Sequence, residues 1–155
     1  MRIRRSTARV LPVDRDGRVL LQLGHEPHRR DYWFWMTIGG GTERGETLAE
    51  AGAREMREEA GAEVIPEALG RPLGTTVVSY RLFGLLPVIQ HQTYFALAVD
   101  ALEVSAARQS LIERLTIRRY QWLSADELEA RPEHIGDPGL PRMIRTAVAV
   151  VRGPR

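Results

Sequence analysis

One segment, residues 40–62, constrains the fold of this chain more than any other. It reads GGTERGETLAEAGAREMREEAGA, so paired glycines are followed by a run without proline that ends near another glycine. Thr47 with Glu50 three residues later forms a capping box, which is typical of a helix N-terminus. Gly61 lies just past the last helical position, where glycine commonly ends a helix. The pattern predicts that residues 39–41 interrupt regular structure and that one helix follows.

This helix carries an acidic edge beside an apolar one. An α-helix advances about 100° per residue, so Glu55, Glu58 and Glu59 fall within an arc of roughly 100°. The neighbouring arc holds small and apolar residues that are predicted to face the core, namely Leu48, Ala49, Gly52, Ala53, Met56 and Ala60. One edge of the helix therefore packs against the core while the adjacent edge presents three carboxylates.

The carboxylates of this edge suit a metal ion. Like charges raise one another's pKa values unless a cation joins them, and Mg²⁺ or Mn²⁺ prefers a site made of oxygens. Arg54 lies four residues from both Glu50 and Glu58, so it can pair with either and hold a carboxylate in position. The alternative is a solvated helix face with ion pairs. The glycines and acids taken together favour the metal site.

The spacing of the whole segment resembles the Nudix box. That box is a glycine, five residues, a glutamate, seven residues, and then Arg-Glu-apolar-any-Glu-Glu-any-Gly-apolar. The matching residues here are Gly40, Glu46, Arg54, Glu55, Met56, Glu58, Glu59, Gly61 and Ala62. Two positions depart from the usual pattern, since Ala62 replaces a bulky aliphatic residue and Ile38 replaces a common proline. Both concern packing or loop shape, and neither removes a chemical group.

The resemblance implies a metal-dependent pyrophosphohydrolase that cleaves the diphosphate bridge of a nucleoside diphosphate linked to a group X. The implied metal ligands are Glu55, Glu58, Glu59 and the carbonyl of Gly39. In the family, the arginine that matches Arg54 orients the carboxylates. The residue that matches Glu46 shapes the loop and sometimes meets the metal through water. Water attacks a phosphorus while a glutamate accepts its proton.

The identity of that general base is left open by the resemblance, because family members take it from the box or from a later loop. Glu58 and Glu55 are the candidates inside the box. Glu113 is the best later candidate, since it precedes the predicted strand Ile117–Leu123 and the chain could return there over the metal site. We favour a base inside the box, with Glu113 as an accessory to the water or a second metal. Its alternative is an exposed carboxylate beside Arg114.

Other functions on the same fold compete with hydrolysis. A non-catalytic nucleotide-binding or regulatory module usually shows a damaged box, whereas this box keeps its acids. An isomerase of isoprenoid diphosphates would use a cysteine, and the chain has none. For the substrate, Val78 stands where members that cleave ADP-ribose often carry proline, and Tyr80 resembles a tyrosine of diadenosine polyphosphate hydrolases. Nucleoside triphosphates, dinucleoside polyphosphates and nucleotide sugars all stay open.

The rest of the chain alternates predicted strands and helices. Strands are predicted at residues 7–13, 19–23, 32–36, 75–83, 93–99 and 117–123. The first two form a hairpin, and a loop with Pro87 separates the fourth from the fifth. A capping box of Ser124 and Glu127 begins a short helix, residues 140–151 form a last helix, and residues 101–115 are ambiguous. This order predicts an α+β sandwich with helices flanking a mixed sheet.

Two groups of side chains before the box are candidates for ligand contact. Trp33 and Trp35 alternate in their strand and share one face. Their default role is core packing, and the alternative is a platform on which a nucleobase stacks. Arg29 and Arg30 lie in the preceding loop, where they either reach a phosphate or stay solvated.

The composition narrows the class of protein. With 155 residues the chain is expected to form one domain, residues 1–155. Apart from histidine, its basic residues are all arginine, which binds phosphate well, so small phosphorylated ligands stay open. The net charge of +2 does not make a strong case for binding to nucleic acid. We expect neither a membrane span nor a signal peptide, because the apolar runs are short. The lack of cysteine excludes thiolate metal sites and favours the cytoplasm. Many Nudix proteins are dimers, so a homodimer stays open.

Overall fold

The computed structural model describes residues 2–100 and 117–153. Glu113 and the ambiguous segment 101–115 lie outside the described residues. The strands are β1 Ile3–Val13, β2 Val19–Gly24, β3 Phe34–Met36, β4 Ile38–Gly41, β5 Gly74–Leu82, β6 Leu86–Ala98, β7 Ile117–Leu123 and β8 His134–Ile135. The helices are α1 Leu48–Glu55, which continues as a π-helical turn Met56–Ala60, then a 3₁₀ turn Pro66–Leu69, α2 Ala125–Glu129 and α3 Leu140–Arg152. None of the described helices is long and apolar enough to cross a bilayer.

The strands form a mixed sheet, as the sequence predicts. Its order is β5-β6-β1-β2-β3-β8, with β4 also paired to β1 and β7 to β2. The pairs β1–β6 and β3–β8 are parallel, and the other pairs are antiparallel. The predicted hairpin is confirmed, because Val13 of β1 lies opposite Val19 of β2.

Helices cover both faces of the sheet, and the alternation of side chains along the strands explains why. Leu11 of β1 points to one face, where it joins a buried cluster with Leu128 of α2 and Ile144 of α3. Its neighbour Val10 points to the other face and joins a second cluster with Met56 of the π-helical turn. Each such buried side chain contributes about 1.5–3 kcal/mol. The α+β prediction is confirmed by this layered arrangement.

The prediction that residues 39–41 interrupt regular structure is wrong. These glycines belong to β4, which pairs antiparallel with β1 so that Gly39 lies opposite Arg9. A Cβ at Gly39 would lie 2.0 Å from the carbonyl oxygen of Ala8, and the residue has φ +151°. The absence of a side chain therefore lets β4 lie directly against β1, a tertiary contact that local sequence does not report.

The loop predicted around Pro87 is also wrong, because β6 already begins at Leu86. Ile3, the first residue of β1, pairs with Val88 of β6. Pro87 therefore lies beyond the end of β1, where one side of β6 needs no ladder hydrogen bond. Proline is tolerated in a strand at such a place.

Candidate active site

The helix of the box begins and ends where the sequence predicts. The backbone N–H of Glu50 donates to Thr47 Oγ1 at 3.1 Å, and the N–H of Thr47 donates to Glu50 Oε1 at 3.2 Å. Gly61 adopts φ 72° and ends the helical segment. The last turn, Met56–Ala60, is π-helical rather than α-helical. Such wider turns are frequent at functional sites.

The apolar edge of this helix packs against the sheet as predicted, and Gly52 sets the distance. A Cβ at Gly52 would lie 2.9 Å from Leu69 Cδ1 and 3.1 Å from Val10 Cγ2. Glycine at this position therefore allows α1 to approach β1 closely. The buried side chains of Ala53, Met56 and Ala60 complete the apolar edge of the helix.

Arg54 makes most of the hydrogen bonds at the acidic edge of the helix. Its Nε and Nη2 donate to the two carboxylate oxygens of Glu46 at 2.8 and 3.0 Å. Its Nη1 donates to Glu55 Oε1 at 3.0 Å and to Glu58 Oε2 at 3.2 Å, and its Nη2 also donates to the Gly41 carbonyl. Of the two partners predicted, Glu58 pairs with Arg54, whereas Glu50 caps the helix. The bidentate partner Glu46 was not predicted, because it lies on the loop, outside the i,i+4 pattern.

The ion pair of Arg54 and Glu46 is well shielded, which strengthens it. Their side chains are 13% and 14% exposed, and that of Glu55 is 12% exposed. The hydrogen bond from Arg54 lowers the pKa of Glu46, and the same bond raises the pKa of Arg54. Both groups therefore stay charged across the neutral range. Glu46 Oε1 also accepts the N–H of Glu43 at 2.9 Å, which shapes the turn before the helix.

We predict that Glu46→Gln lowers the free energy of unfolding by about 1.5–3 kcal/mol at pH 7, the range for hydrogen bonds to charged groups. The folded-state pKa of Glu46 lies below its ordinary value of 4.5. Its stabilisation is therefore present above pH 4.5 and is lost as the pH falls through the folded-state value. Urea unfolding at pH 7 and at successively lower pH below 4.5 measures this.

Glu43→Gln is the matched control, because Glu43 reaches the same arginine at 3.6 Å but is 69% exposed. It should change stability by less than about 1 kcal/mol at pH 7. A difference between wild type and Glu46→Gln that stays constant with pH would contradict the charged role of Glu46.

Glu59 links the helix of the box to β4, which contains Gly39, Gly40 and Gly41 and is called the glycine strand below. Its side chain is buried, and its Oε2 accepts the backbone N–H of Gly39 at 2.7 Å. A Cβ at Gly40 would lie 2.4 Å from Glu55 Oε1, so β4 lies directly against the acidic edge. The structure therefore places Gly39, Glu55 and Glu59 of the predicted metal ligands along the contact between β4 and the helix of the box. Arg54, which binds both Glu55 and Glu58, links the fourth predicted ligand to this contact.

The donors of this contact fit a hard divalent cation in their chemistry, since they are carboxylate and carbonyl oxygens. Among residues 2–100 and 117–153, no three histidine, aspartate or glutamate side chains are arranged as a ready metal cluster. Positive charge at the contact comes instead from two arginines. Arg54 lies between Glu55 and Glu58, and Arg9 Nη1 donates to the Gly39 carbonyl at 3.4 Å.

A cavity of about 670 Å³ opens beside the glycine strand. Arg5 and Arg9 of β1 line it on the side of the box, and Phe34, Tyr80 and Asp137 are among the residues that line the rest. This volume suits a small organic ligand. Arg5 and Arg9 also approach Gly41 and Gly39, so the cavity reaches the neighbourhood of β4, against which the acidic edge packs.

Comparison with known proteins identifies the family. A sequence model of the NUDIX domain matches residues 3–145. The chain belongs to the NUDIX domain family. No curated protein matches it by sequence.

Solved structures share the fold of this NUDIX domain at low sequence identity. A MutT protein from Methanosarcina mazei Go1 is 21% identical, with 93% of this chain and 92% of that chain covered and a TM-score of 0.63. An Ap4A hydrolase from C. elegans, in a binary complex, is 15% identical, with 97% and 99% covered and a TM-score of 0.56. A bifunctional NMN adenylyltransferase/ADP ribose pyrophosphatase from Francisella tularensis, complexed with AMP and a Mn ion, is 21% identical, with 97% and 42% covered and a TM-score of 0.61.

The aromatic residues before the Nudix box divide between the core and the cavity. Trp35 is fully buried and its Nε1 donates to Glu133 Oε1 at 3.1 Å, so core packing is confirmed and the stacking alternative is wrong for it. Trp33 packs against the same core cluster. Phe34 instead lines the cavity, as does Arg29, whose guanidinium carbon lies 4.4 Å from the centroid of the Tyr32 ring.

Among the charged residues of the cavity, Arg9 and Asp137 were not singled out from the sequence. Thr7, Arg9 and Leu11 lie on the same face of β1, and Thr7 and Leu11 are buried. An arginine between two core-facing positions was therefore the feature of the sequence that could have indicated Arg9. Asp137 is buried although it lies in a loop, next to the start of α3. No local pattern in the sequence marks that position.

Proposed function

We propose that this NUDIX domain is a metal-dependent pyrophosphohydrolase that cleaves the diphosphate bridge of a nucleoside diphosphate linked to a group X. One observation carries the proposal. Glu55 and Glu59 of the box lie against Gly40 and Gly39 of β4, and Arg54 holds Glu58 and Glu55 together near a cavity of about 670 Å³. A solvated acidic helix face would instead leave its carboxylates exposed, whereas Glu59 and Glu55 are buried or nearly so.

Mg²⁺ or Mn²⁺ would be held by Glu55, Glu58, Glu59 and the carbonyl of Gly39. The bound metal would neutralise charge on the bridging phosphates and lower the pKa of its water. A Mn ion accompanies AMP in the Francisella structure, which supports this choice of metal. Arg54 orients the ligands, because one nitrogen of its guanidinium binds both Glu55 and Glu58.

Glu58 is the best candidate for the general base. Its side chain is 38% exposed, whereas that of Glu55 is 12% exposed, so water reaches Glu58 more readily. A proton acceptor needs such access to the attacking water. Glu55 is the second candidate inside the box. Glu113 stays an accessory candidate from beyond the described residues.

The substrate class is drawn from nucleoside triphosphates, dinucleoside polyphosphates and nucleotide sugars. The related folds include a MutT protein, an Ap4A hydrolase and an ADP ribose pyrophosphatase, which span the same range. Val78 and Tyr80, the two positions that carry hints about the substrate, both line the cavity. Both hints therefore concern side chains that a ligand in the cavity would contact.

We further propose a single NUDIX domain over residues 1–155, acting on small nucleotides in the cytoplasm. The family match over residues 3–145 supports the domain, and the absence of cysteine is in keeping with that compartment. We also propose a homodimer, and the only support for it is that many Nudix proteins are dimers.

Hydrolysis of a nucleotide panel tests the function. The purified protein, with Mg²⁺ or Mn²⁺, is expected to release a nucleoside monophosphate or related fragment from at least one of the three classes, as detected by chromatography. Excess chelator should abolish the release, and added metal should restore it, because the site depends on the cation for charge neutralisation. Equal hydrolysis in chelator would exclude the metal mechanism. Tight nucleotide binding without hydrolysis would support the non-catalytic module instead.

A further inference from the structure

Arg9 is a shielded cation that has no anionic partner among the described residues. Its Nη1 donates to the backbone carbonyls of Thr37 and Gly39 at 3.3 and 3.4 Å, both long for hydrogen bonds. Its Nε is buried and has no acceptor. Shielding a charge without a counter-ion is costly, so an anion bound beside Arg9 would stabilise its guanidinium.

A chain of hydrogen bonds crosses the cavity floor beside Arg9. Arg5 Nη1 donates to the hydroxyl of Tyr80 at 3.1 Å, and that hydroxyl donates to Gln90 Oε1 at 3.3 Å. Gln90 Nε2 donates to Gln92 Oε1 at 2.8 Å. Gln92 Nε2 then donates to Asp137 Oδ2 at 2.7 Å. The chain therefore runs from a guanidinium to a carboxylate.

The two ends of this chain determine its direction. A guanidinium only donates and a carboxylate only accepts, so each hydroxyl and amide between them has one possible orientation. Tyr94, Thr76 and the N–H of Gly139 also donate to Asp137, at 2.7, 2.5 and 2.8 Å. Burial, together with the charge of Asp137, raises the pKa of the Tyr94 hydroxyl and keeps it protonated as a donor.

The consequence is a cavity floor whose acceptors already have donors. The oxygens of Tyr80, Gln90 and Gln92 each accept a bond from a neighbour. Arg9 and Arg5 each donate only through Nη1 in these bonds, so the Nη2 groups of both guanidiniums stay available as donors, while the Nε of Arg9 is enclosed without an acceptor. A ligand group that accepts hydrogen bonds and carries negative charge therefore matches the two arginines of this floor.

We propose that Arg9, with Arg5 on the same face of β1, binds a phosphate group of the ligand on the cavity side of β4. Both arginines lie against the glycine strand, since Arg5 Nη2 would be 3.1 Å from a Cβ at Gly41 and Arg9 contacts the carbonyl of Gly39. Guanidinium groups match phosphate oxygens with paired donors. This inference rests on the proposed function for the identity of the ligand, and it assigns the cavity to a phosphorylated group.

Isothermal titration with inorganic pyrophosphate, in chelator, tests this site without hydrolysis. Arg9→Gln is expected to raise the Kd for pyrophosphate about ten- to a hundredfold above that of the wild type, the range for charge-assisted hydrogen bonds. Arg9→Lys should have a Kd between those of the wild type and Arg9→Gln, because lysine keeps the charge but lacks the planar donors of arginine. Arg15→Gln is the matched control and should leave the Kd unchanged, since Arg15 is 74% exposed and pairs with Asp100.

Thermal unfolding separates a binding role from a structural one. Without ligand, Arg9→Gln should melt at or above the temperature of the wild type, because an unpaired charge is removed from a shielded place. Pyrophosphate should raise the melting temperature of the wild type more than that of the variant. A residue that only clamps the backbone of Thr37 and Gly39 would instead lower the melting temperature and leave the Kd unchanged.

The outcomes for the two proposals can be told apart. An unchanged Kd in Arg9→Gln, or a wild type that does not bind pyrophosphate, overturns the phosphate site even if nucleotides are hydrolysed. Binding that depends on Arg9 supports the phosphate site even if no nucleotide in the panel is hydrolysed. In that last case only the hydrolase function fails.

Discussion

Glu59→Gln is expected to lower turnover by more than about a hundredfold, since partners of metal ligands alone are worth about 10–100-fold and Glu59 is proposed as a ligand itself. The substitution removes one negative charge from the ligand set and keeps the size of the side chain. Its amide oxygen still accepts the N–H of Gly39, which lies 2.7 Å from Glu59 Oε2 in the structure. The fold should therefore persist while the affinity for the metal falls.

Steady-state kinetics at increasing Mg²⁺, with circular dichroism and thermal unfolding of the same samples, measures the two effects. Glu67→Gln is the matched control, since Glu67 is an exposed carboxylate on the neighbouring 3₁₀ turn. It should retain full turnover. If Glu59→Gln kept turnover within a few-fold of the wild type, Glu59 would not be a direct ligand of the metal.

Arg54→Ala is expected to lower the free energy of unfolding by about 3–5 kcal/mol, the cost of removing one partner from a shielded ion pair. Glu46 and Glu55, 14% and 12% exposed, would lose their shared cation and would repel each other. Turnover should fall as well, because Glu55 and Glu58 lose the nitrogen that orients both of them. Urea unfolding at pH 7 and the rate of nucleotide hydrolysis measure the two losses.

Arg54→Lys and Arg57→Ala are the comparisons for this variant. Lysine keeps the charge but cannot make the bidentate bond to Glu46, so it should recover only part of the lost stability. Arg57 lies on the same helical segment without a side-chain hydrogen bond or ion pair to the described residues, and Arg57→Ala should change stability by less than about 0.5 kcal/mol. A loss below about 1 kcal/mol in Arg54→Ala would contradict the central role of Arg54.

Features that depend on a few adjacent residues were predicted correctly. The capping boxes at Thr47 and Ser124 form as the sequence indicates, and Gly61 ends its helix in a left-handed conformation. The strand Ile117–Leu123 has the predicted bounds. The physical reason is that caps, stops and alternating patterns are satisfied within one or two turns of the chain.

Features that depend on distant partners were missed. The glycines of β4 have little intrinsic preference for a strand, and they form one because β1 offers its edge and Gly39 allows close contact. The pairing of Arg54 with Glu46 likewise depends on how the loop before the helix folds back. Trp35 faces the core and Phe34 faces the cavity, and the pairing of β3 with its neighbouring strands decides which side chain lies on which face.

The sequence by itself determined the family, the capped helix of the box and the acids that this helix presents, because these follow from residue spacing and helical geometry. Only the tertiary structure decided what lies opposite those acids. Strand β1 brings Arg9 against the carbonyl of Gly39, and residues of β5, β6 and the loop before α3 form the directed chain that ends at Asp137. Contacts between residues so far apart in the chain are set by strand register and packing, which no local pattern encodes.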